Sequence, residues 1–247
     1  MYNFAGKNFL VAGASSGIGR DVARYLTEEC GANVALVARR EDVIAQLADE
    51  LQGSNLAIQY DLEDIENIEE IFKTCNNKNF KLDGMVYSAG ISPLFPIAEN
   101  EAKLMEKVMR VNALAFAELG KYMLNYKYVK DRAAVVAISS IVSVATTNRQ
   151  SAYAASKSML NTYVRFLAKE ALGKMRVNAI LPGVVETDMV RTLRSQSDNF
   201  DEKTKKNQPL GIIPPRKISE MVGFLLSESA AYVTGASFVM DGGYLLK

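Results

Sequence analysis

Three side chains in the second half of the chain could form an acid–base site: Ser140, Tyr153 and Lys157. Tyr153 and Lys157 are four residues apart, a spacing that places both on one face of a helix. An unperturbed tyrosine has a pKa of about 10, and a nearby positive charge lowers it towards the range useful for proton transfer. Ser140 could donate a hydrogen bond to an oxygen held beside the phenol. Taken alone, the pair also fits an ordinary surface helix, because this spacing arises easily by chance.

The composition excludes several other kinds of active site. The chain has 247 residues and no histidine, which removes Ser-His-Asp hydrolysis, Cys-His proteolysis and histidine-ligated metal sites. We therefore predict no metal ion and expect any acid–base chemistry to use tyrosine, lysine, carboxylates or cysteine. The formal net charge is +1 with both signs interspersed, which predicts neither nucleic-acid binding nor attraction to an anionic membrane.

Cysteine usage and hydropathy bear on the compartment. Cys30 and Cys75 belong to no motif, so we expect reduced, partly buried thiols. The N-terminus enters a strand almost at once, without the apolar stretch of a signal peptide. No apolar run approaches the roughly 20 residues that span a bilayer. These features predict a cytoplasmic protein.

Short apolar runs alternate with helical patterns along the chain. The runs that predict strands cover 7–12, 33–38, 56–60, 84–87, 133–139, 177–181 and 237–240. Helical patterns cover the stretch after the first strand through 29, and 41–51, 65–75, 101–125, 152–171 and 218–226. Continuous apolar strands separated by helices predict an α/β fold: a Rossmann-type, doubly wound parallel sheet with helices on both faces. No linker or repeat divides the chain, so we predict one domain over 1–247.

The stretch 188–211 is polar and shows no periodic pattern. It is long for a connection without secondary structure, and such loops are usually functional lids or disordered segments. We therefore expect a substrate lid over 188–211.

A glycine-rich turn, Gly13-Ala-Ser-Ser-Gly17-Ile-Gly19, joins the first predicted strand to the first helix. Glycines there let the backbone turn tightly and approach a pyrophosphate, which sits on the helix N-terminus. The spacing is G-x-x-x-G-x-G rather than G-x-G-x-x-G. The position between a strand and a helix favours nucleotide binding over a plain tight turn.

The residues after the second and third strands bear on the choice of cofactor. An acidic residue after the second strand would bind the ribose 2′-hydroxyl and favour NAD. Arg39 and Arg40 stand there instead, and two guanidiniums suit a 2′-phosphate, so we predict NADP(H). The alternative is a basic loop that contacts nothing. Asp61 could accept from the adenine amino group or cap a helix that starts near Glu63.

With these residues assembled, the chain resembles the short-chain dehydrogenase/reductase family from end to end. The family's motifs occur in order, and their joint occurrence is far more specific than any one of them. They are the glycine turn, Asp61-Leu62, Ser88-Ala-Gly90, Asn112, Ser140, Tyr153-x-x-x-Lys157, Pro182-Gly183 with Thr187, and Val239-Met-Asp-Gly-Gly243.

The resemblance implies catalytic roles for four residues. Tyr153 would be the general acid/base, and Lys157 would lower its pKa and bind the nicotinamide ribose. Ser140 would orient and polarise the substrate carbonyl. Asn112 would hold a water in a proton relay that extends from Lys157.

The resemblance also implies the cofactor contacts. Ala89 and Gly90 would line the ribose, while the segment from Pro182 to Thr187 would hold the nicotinamide. The full implied set is Gly13, Ser15, Ser16, Gly17, Ile18, Gly19, Arg39, Arg40, Asp61, Leu62, Ala89, Gly90, Tyr153, Lys157, Pro182, Gly183, Val185 and Thr187.

Some positions depart from the family pattern. Ala12 stands where a threonine is usual, and Tyr87-Ser88 stand where Asn-Asn is usual. Ser143 stands near the place of a glycine that often follows the catalytic serine. We expect altered local hydrogen bonding rather than lost activity.

The layout is most similar to the bacterial 3-oxoacyl-ACP reductase branch, which implies NADPH-dependent reduction of a carbonyl. The substrate stays open between an acyl thioester on an acyl-carrier protein and a sugar, steroid or other ketone. An acidic carrier protein needs a basic docking site. Lys127, Lys130, Arg132 and Lys174 are candidates, although a scattered solvated face fits them equally.

A non-catalytic NADP(H)-binding regulator on the same fold is the alternative from another functional class. Members of the family are commonly tetramers that pair through helices matching 101–125 and 152–171. The resemblance therefore implies a homotetramer or homodimer.

Overall fold

The computed structural model describes residues 2–195 and 199–246, and seven strands of this part form one parallel sheet. The strands run in the spatial order β3-β2-β1-β4-β5-β6-β7. They are β1 (Asn8–Ala12), β2 (Asn33–Ala38), β3 (Leu56–Gln59), β4 (Leu82–Tyr87), β5 (Val129–Ile138), β6 (Met175–Pro182) and β7 (Ser237–Met240). The order reverses between β1 and β4, and such a reversal opens a crevice at the carboxyl ends of the strands. The predicted Rossmann-type fold is confirmed.

Helices cover both faces of this sheet. They are α1 (Gly17–Arg24), α2 (Glu41–Glu50), α3 (Glu69–Asn77), α4 (Ala102–Met109), α5 (Ala115–Met123), α6 (Ser151–Glu170), α7 (Asp188–Ser195), α8 (Phe200–Asn207) and α9 (Pro215–Leu226). A π-helical turn, Tyr25–Glu29, extends α1, and a second one, Arg110–Leu114, joins α4 to α5.

The core consists of two apolar layers, one on each face of the sheet. Successive side chains of a strand point to opposite faces. Leu10 and Val11 of β1, both fully buried, therefore belong to different layers. Leu10 packs in the layer that holds Phe72, Phe116 and Leu160, from α3, α5 and α6. Val11 packs in the layer that holds Val22, Ile44 and Val222, from α1, α2 and α9.

Several predicted boundaries differ from the structure. The third helix begins at Glu69 rather than 65, because side chains before it bond to their own loop. The Asp61 carboxylate accepts from the backbone amide of Glu63 (3.0 Å), and the Asp64 carboxylate accepts from the Asn67 amide (3.0 Å). Such local bonds compete with helix formation. The predicted helix over 101–125 is interrupted by the π turn, and β5 starts four residues earlier than predicted.

The absence of regular structure predicted for 188–211 is wrong, because α7 and α8 occupy most of it. The Thr187 hydroxyl accepts from the Val190 amide (3.4 Å) and caps α7. Arg194 pairs with Glu186 (2.7 Å) and with Asp201 (2.9 Å), which joins the two helices. Each helix is only eight residues long and mostly polar, so neither gives the sustained apolar period that predicts a helix. The part of the predicted lid at 196–198 lies outside the described residues.

Both cysteines, Cys30 and Cys75, are buried and unpaired within the described residues. Burial raises the pKa of Cys75 to about 12, so this thiol holds its proton and is a poor nucleophile. Over the same part of the chain, we find no helix of the length and apolarity that crossing a membrane needs.

Two glycines let the first turn pack against the neighbouring strand. Gly13 has a φ of +84°, and a Cβ there would lie 2.6 Å from the Ala89 backbone nitrogen. A Cβ on Gly19 would lie 2.2 Å from the Gly13 carbonyl oxygen. Neither position tolerates a side chain, so close packing requires both glycines.

Gly13→Ala should lower the free energy of unfolding more than Gly173→Ala does. Both residues have positive φ, +84° and +81°, so each alanine loses about 1–2 kcal/mol to the left-handed conformation. Only the Gly13 variant meets backbone atoms, since nothing lies within 4 Å of a Cβ at Gly173. Overpacking adds about 1–3 kcal/mol. Urea denaturation measures the difference, and equal losses would contradict the packing constraint.

Candidate active site

A cleft of about 810 Å³ opens at the carboxyl ends of the strands. It is large enough for a small-molecule or cofactor site. All the sequence-predicted site residues line it except Gly19 and Asn112. Those that line it are Gly13, Ser15, Ser16, Gly17, Ile18, Arg39, Arg40, Asp61, Leu62, Ala89, Gly90, Ser140, Tyr153, Lys157, Pro182, Gly183, Val185 and Thr187.

Ser140, Tyr153 and Lys157 line the same cleft. Ser140 follows the end of β5, and Tyr153 and Lys157 lie on the first two turns of α6. Lys157 is only 3% exposed, and its Nζ donates to the carbonyl of Ile138, the last residue of β5 (2.9 Å). The same Nζ lies 5.7 Å from the centre of the Tyr153 ring. The lysine is thus fixed between α6 and the strand that positions the serine.

Burial moves the pKa values of the tyrosine and the lysine in opposite directions. It raises the pKa of Tyr153 to about 12, against the opposing effect of the Ser140 hydroxyl. It lowers the pKa of Lys157 to about 7. The expected lowering of the Tyr153 pKa by Lys157 is therefore not seen, because desolvation penalises both charged forms. Near neutrality the phenol keeps its proton and is available as a donor.

Asn112 lies beside this group but does not line the cleft. Its side chain is fully buried in the π turn, and its Oδ1 accepts from the Ile91 amide (2.9 Å). Its Nδ2 donates to the Ile91 carbonyl (3.0 Å) and to Ser156 Oγ on α6 (2.9 Å). Both amide hydrogens are used within the protein, so the side chain positions the loop after Gly90. The water relay implied for Asn112 stays a prediction.

The glycine turn and the start of α1 line the cleft beside the chain that follows β4. No described side chain caps α1, since Ser16 at the N-cap makes no such bond, and the first amides stay open to an anion. A Cβ on Gly17 would lie 3.3 Å from the Thr187 methyl group. Gly19 does not line the cleft, and a Cβ there would meet the Gly13 carbonyl oxygen, so packing requires this glycine, whereas its contact with a cofactor stays a prediction.

Basic and acidic side chains meet at the end of the cleft beside β2 and β3. Arg40 Nη2 donates to the carbonyl (3.1 Å) and the hydroxyl (3.0 Å) of Ser15, so the guanidinium reaches across the glycine turn. Arg39 is exposed and lines the same end. Asp61 also lines the cleft while it closes its own turn at Glu63, so ligand contact and a local bond are compatible. It does not cap α3, which begins later.

The segment after β6 forms the wall near Tyr153. Gly183 donates to the Met240 carbonyl in β7 (2.9 Å), and Val185 pairs with Ile213 as an isolated bridge. Thr187 both lines the cleft and caps α7. Backbone pairing with β7 on one side and with Ile213 on the other therefore holds this segment in place.

Several residues that line the cleft were missed by sequence reasoning. Tyr60 precedes Asp61 at the end of the third strand, so its position could have been predicted from the strand pattern. The cleft-lining residues of α8 gave no such signal, because the sequence predicts no helix there. These are Phe200, Lys203, Thr204 and Asn207. Gln208, directly after α8, is fully buried and has no motif around it.

The cleft fits a nicotinamide dinucleotide. Glycine at 13 and 17 leaves space beside the open N-terminus of α1, where a pyrophosphate can approach the backbone. Guanidiniums lie at one end, and the phenol and ammonium groups lie at the other. A doubly wound sheet with this arrangement defines a dinucleotide-binding oxidoreductase.

Comparison with known proteins identifies the family. A family model described as enoyl-(acyl carrier protein) reductase, adh_short_C2, matches residues 13–245. The chain is 31% identical over 243 residues to the 3-oxoacyl-[acyl-carrier-protein] reductase FabG of Vibrio harveyi, covering 98% of both chains. It is also 31% identical over 252 residues to L-xylulose reductase of Caenorhabditis elegans, covering 98% of this chain and 97% of that one.

The solved structures agree with this assignment. A short-chain type dehydrogenase/reductase from Mycobacterium ulcerans superposes with a TM-score of 0.91 at 26% identity, covering 99% of this chain and 92% of that one. The chain belongs to the short-chain dehydrogenase/reductase family of oxidoreductases, as its motifs predicted.

Lys157→Met should flatten the pH dependence of thermal stability. An unfolded lysine has a pKa of about 10.4, whereas burial lowers that of Lys157 to about 7. Between these values the unfolded state binds more protons, so the lysine's contribution to stability grows as pH rises and is lost as pH falls through about 7. The difference in thermal stability between Lys157→Met and wild type should therefore favour the variant most at pH 6, and this difference should shrink towards pH 9.

Unfolding midpoints at several pH values test this expectation. The matched control is Lys169→Met, which removes an exposed lysine from the same helix. Loss of the hydrogen bond to Ile138 should change the unfolding midpoint by the same amount at every pH, so it leaves the pH dependence of the midpoint unchanged. Parallel curves for wild type and Lys157→Met would contradict the expectation.

Proposed function

We propose that this protein is an NADPH-dependent oxidoreductase that reduces a carbonyl to a secondary alcohol. The observation that carries the proposal is the meeting of Ser140, Tyr153 and Lys157 in the same cleft as the glycine turn. A bound nicotinamide supplies the hydride, so the protein needs to supply position, polarisation and a proton.

In this proposal Tyr153 and Ser140 act on the substrate oxygen, and Lys157 acts on the cofactor ribose and on Tyr153. Tyr153 donates its proton to the oxygen, and its raised pKa keeps that proton in place near neutrality. Ser140 donates a hydrogen bond to the same oxygen as negative charge develops there. Lys157, held by the Ile138 carbonyl, binds the nicotinamide ribose. Its ammonium also offsets the negative charge left on Tyr153 after the phenol gives up its proton.

The preference for NADPH rests on Arg39 and Arg40. Both guanidiniums line the end of the cleft next to β2, and Arg40 is already oriented by Ser15. A guanidinium stays charged and matches phosphate geometry, so the pair suits a 2′-phosphate.

The substrate end of the cleft combines apolar and polar side chains. Leu94, Val142 and Met189 lie there with Asn148 and Gln150. This mixture suits a carbonyl compound that has both an apolar part and hydrogen-bonding groups. We propose 3-oxoacyl thioesters and keto sugars as the first classes to test.

The four basic residues suggested for carrier-protein docking do not support an acyl-carrier substrate. Lys127 and Lys130 lie at the amino end of β5, where Lys130 pairs with Asp83 (2.6 Å), and Lys174 precedes β6. Ser140 follows the other end of β5, and a strand of ten residues spans about 33 Å. A carrier protein docked at these residues would sit at the wrong edge of the sheet.

Self-association stays a proposal that rests on the family resemblance and on α6. Phe166 on this helix is 63% exposed, and Leu172 just after it is 55% exposed. Apolar side chains of this size at a surface suit a contact between subunits, and we propose a homodimer or homotetramer.

Tyr153→Phe should abolish carbonyl reduction while leaving NADPH binding within about twofold of wild type. The substitution removes the proton donor and keeps the ring, and the loss of a general acid lowers turnover by at least about 100-fold. NADPH oxidation against acyl thioesters, keto sugars and simple ketones gives the rates, and calorimetry gives the affinity.

Tyr163→Phe is the matched control, because Tyr163 lies on the same helix and lines no part of the cleft. Undiminished turnover by Tyr153→Phe would refute the mechanism. If wild type binds NADPH yet reduces none of these substrates, a non-catalytic NADP(H)-binding role is the better account.

Arg39→Met should weaken NADPH binding by about tenfold or more and leave NADH binding unchanged. A hydrogen bond to a charged group contributes about 1.5–3 kcal/mol, and 1.4 kcal/mol is a factor of ten. Arg165→Met, an exposed arginine on α6, is the control. Calorimetric affinities decide the matter, and equal affinity of wild type for NADPH and NADH would refute the assignment.

A further inference from the structure

Gln208 is a fully buried polar residue at the end of α8 that no motif accounts for. Its side-chain oxygen, Oε1, accepts from the Val184 amide (2.8 Å). Its side-chain nitrogen, Nε2, donates to the carbonyls of Val184 (3.1 Å) and Gly211 (2.6 Å). The carboxamide therefore pairs with both backbone groups of Val184, as a neighbouring strand would.

The space around this carboxamide is closed. A Cβ on Gly183 would lie 2.3 Å from Gln208 Oε1, and a Cβ on Gly242 would lie 2.6 Å from its Cγ. Glycine at both positions is what allows the side chain to enter. The glutamine is thus held in one orientation between the loop after β6 and the C-terminal turn.

The two segments that Gln208 joins are neighbouring parts of the cleft wall. Gly183 and Val185, on either side of Val184, line one part. Thr204 and Asn207 of α8 line the other, and the backbone amide of Gln208 donates to the Thr204 carbonyl (2.7 Å). A displacement of α8 would therefore be transmitted to the loop after β6 through this buried side chain, beside the partly exposed ion pairs of Arg194 with Asp201 and Glu186.

We propose that Gln208 is a positioning residue that couples the α8 wall to the wall that receives the nicotinamide. The proposal rests on the proposed function, which assigns the loop after β6 to the nicotinamide half of the cofactor. The same function assigns the adenosine half to the end of the cleft near Arg39, and Gln208 is not among the residues that line the cleft. Loss of the carboxamide should therefore weaken binding of the whole dinucleotide and spare binding of its adenosine fragment.

A residue that served folding alone would behave differently. Its loss would lower the thermal midpoint and affect both ligands equally, or neither of them. The ratio of the two affinities therefore separates a positioning role from a structural one.

The test compares Gln208→Met and Gln208→Glu with wild type by calorimetry, using NADP⁺ and 2′,5′-ADP as the two ligands. Gln208→Met removes all three bonds at similar volume, and Gln208→Glu keeps an acceptor for Val184 but turns a carboxylate towards two carbonyls. Both variants should bind NADP⁺ at least about tenfold more weakly, because the loop that receives the nicotinamide is no longer held in place, and that factor corresponds to a loss of about 1.4 kcal/mol. Both should bind 2′,5′-ADP within about twofold of wild type.

Two controls match these variants. Gln46→Met removes an exposed glutamine whose bond is to Glu50 on α2 (2.8 Å), and it should change neither affinity. Ile44→Val weakens the core under the same helix, which follows β2, four places from β6 in the sheet order, and reports the effect of lost stability alone. Equal loss for both ligands, or no loss for either, in the Gln208 variants would overturn the proposal.

Failure of the proposed function gives a different result. If wild type binds neither NADP⁺ nor NAD⁺, the proposed function fails. If wild type binds NAD⁺ instead, NAD⁺ and ADP replace the two ligands and the same ratio applies. If wild type binds the dinucleotide and the Gln208 variants match it, only the coupling role fails.

Hydrogen–deuterium exchange of wild type covers the case in which the variants do not fold. Residues 199–211 should become more protected with NADP⁺ than with 2′,5′-ADP, because only NADP⁺ contacts the loop that Gln208 holds. Equal protection by the two ligands would overturn the proposal without any substitution.

Discussion

The close backbone contact at the crossing of β1, α1 and β4 is the constraint on which the site depends. Gly13 lies against the backbone of Ala89, and Gly19 lies against the carbonyl of Gly13. This contact places the N-terminus of α1 at the reversal of strand order and brings the chain after β4 across the cleft. A Cβ on Gly90 would lie 3.4 Å from Lys157 Nζ, so the same packing extends from the glycine turn to the acid–base group.

Desolvation of the acid–base group follows from this packing. Lys157 is buried between α6 and the end of β5, with the Ile138 carbonyl as its hydrogen-bond acceptor. A buried ammonium is costly to the fold, and such perturbed groups cluster at functional sites. The same burial favours the protonated form of Tyr153, which is the form a proton donor requires. One physical effect thus shifts the pKa values of both groups, raising that of Tyr153 and lowering that of Lys157.

The sequence predicted most of the fold, and nearly all of the predicted site residues line the cleft, because those features follow from local pattern. Strands buried on both faces are continuous apolar runs, and the glycine turn sits between a strand and a helix whatever the rest of the chain does. The helices within 188–211 could not be predicted, since each is only eight residues long and mostly polar, with ion pairs such as Glu186 with Arg194 helping to hold them. The direction of the Tyr153 pKa shift was missed because spacing shows the neighbouring charge but not the burial.

The loop after β6 is fixed by hydrogen bonds to residues far from it in the sequence, which a local motif does not include. Gly183 donates to β7, Val184 pairs with the Gln208 carboxamide, and Ile213 donates to the Val184 carbonyl (2.9 Å) and accepts from the Glu186 amide (2.9 Å). Backbone pairing therefore continues past the last strand residue and fixes the wall beside the phenol. Groups held this way need little reorganisation when a ligand binds. Because backbone atoms make these bonds, most side chains of the loop are left available for contact with the ligand, and Gln208 provides the pairing that no strand is there to make.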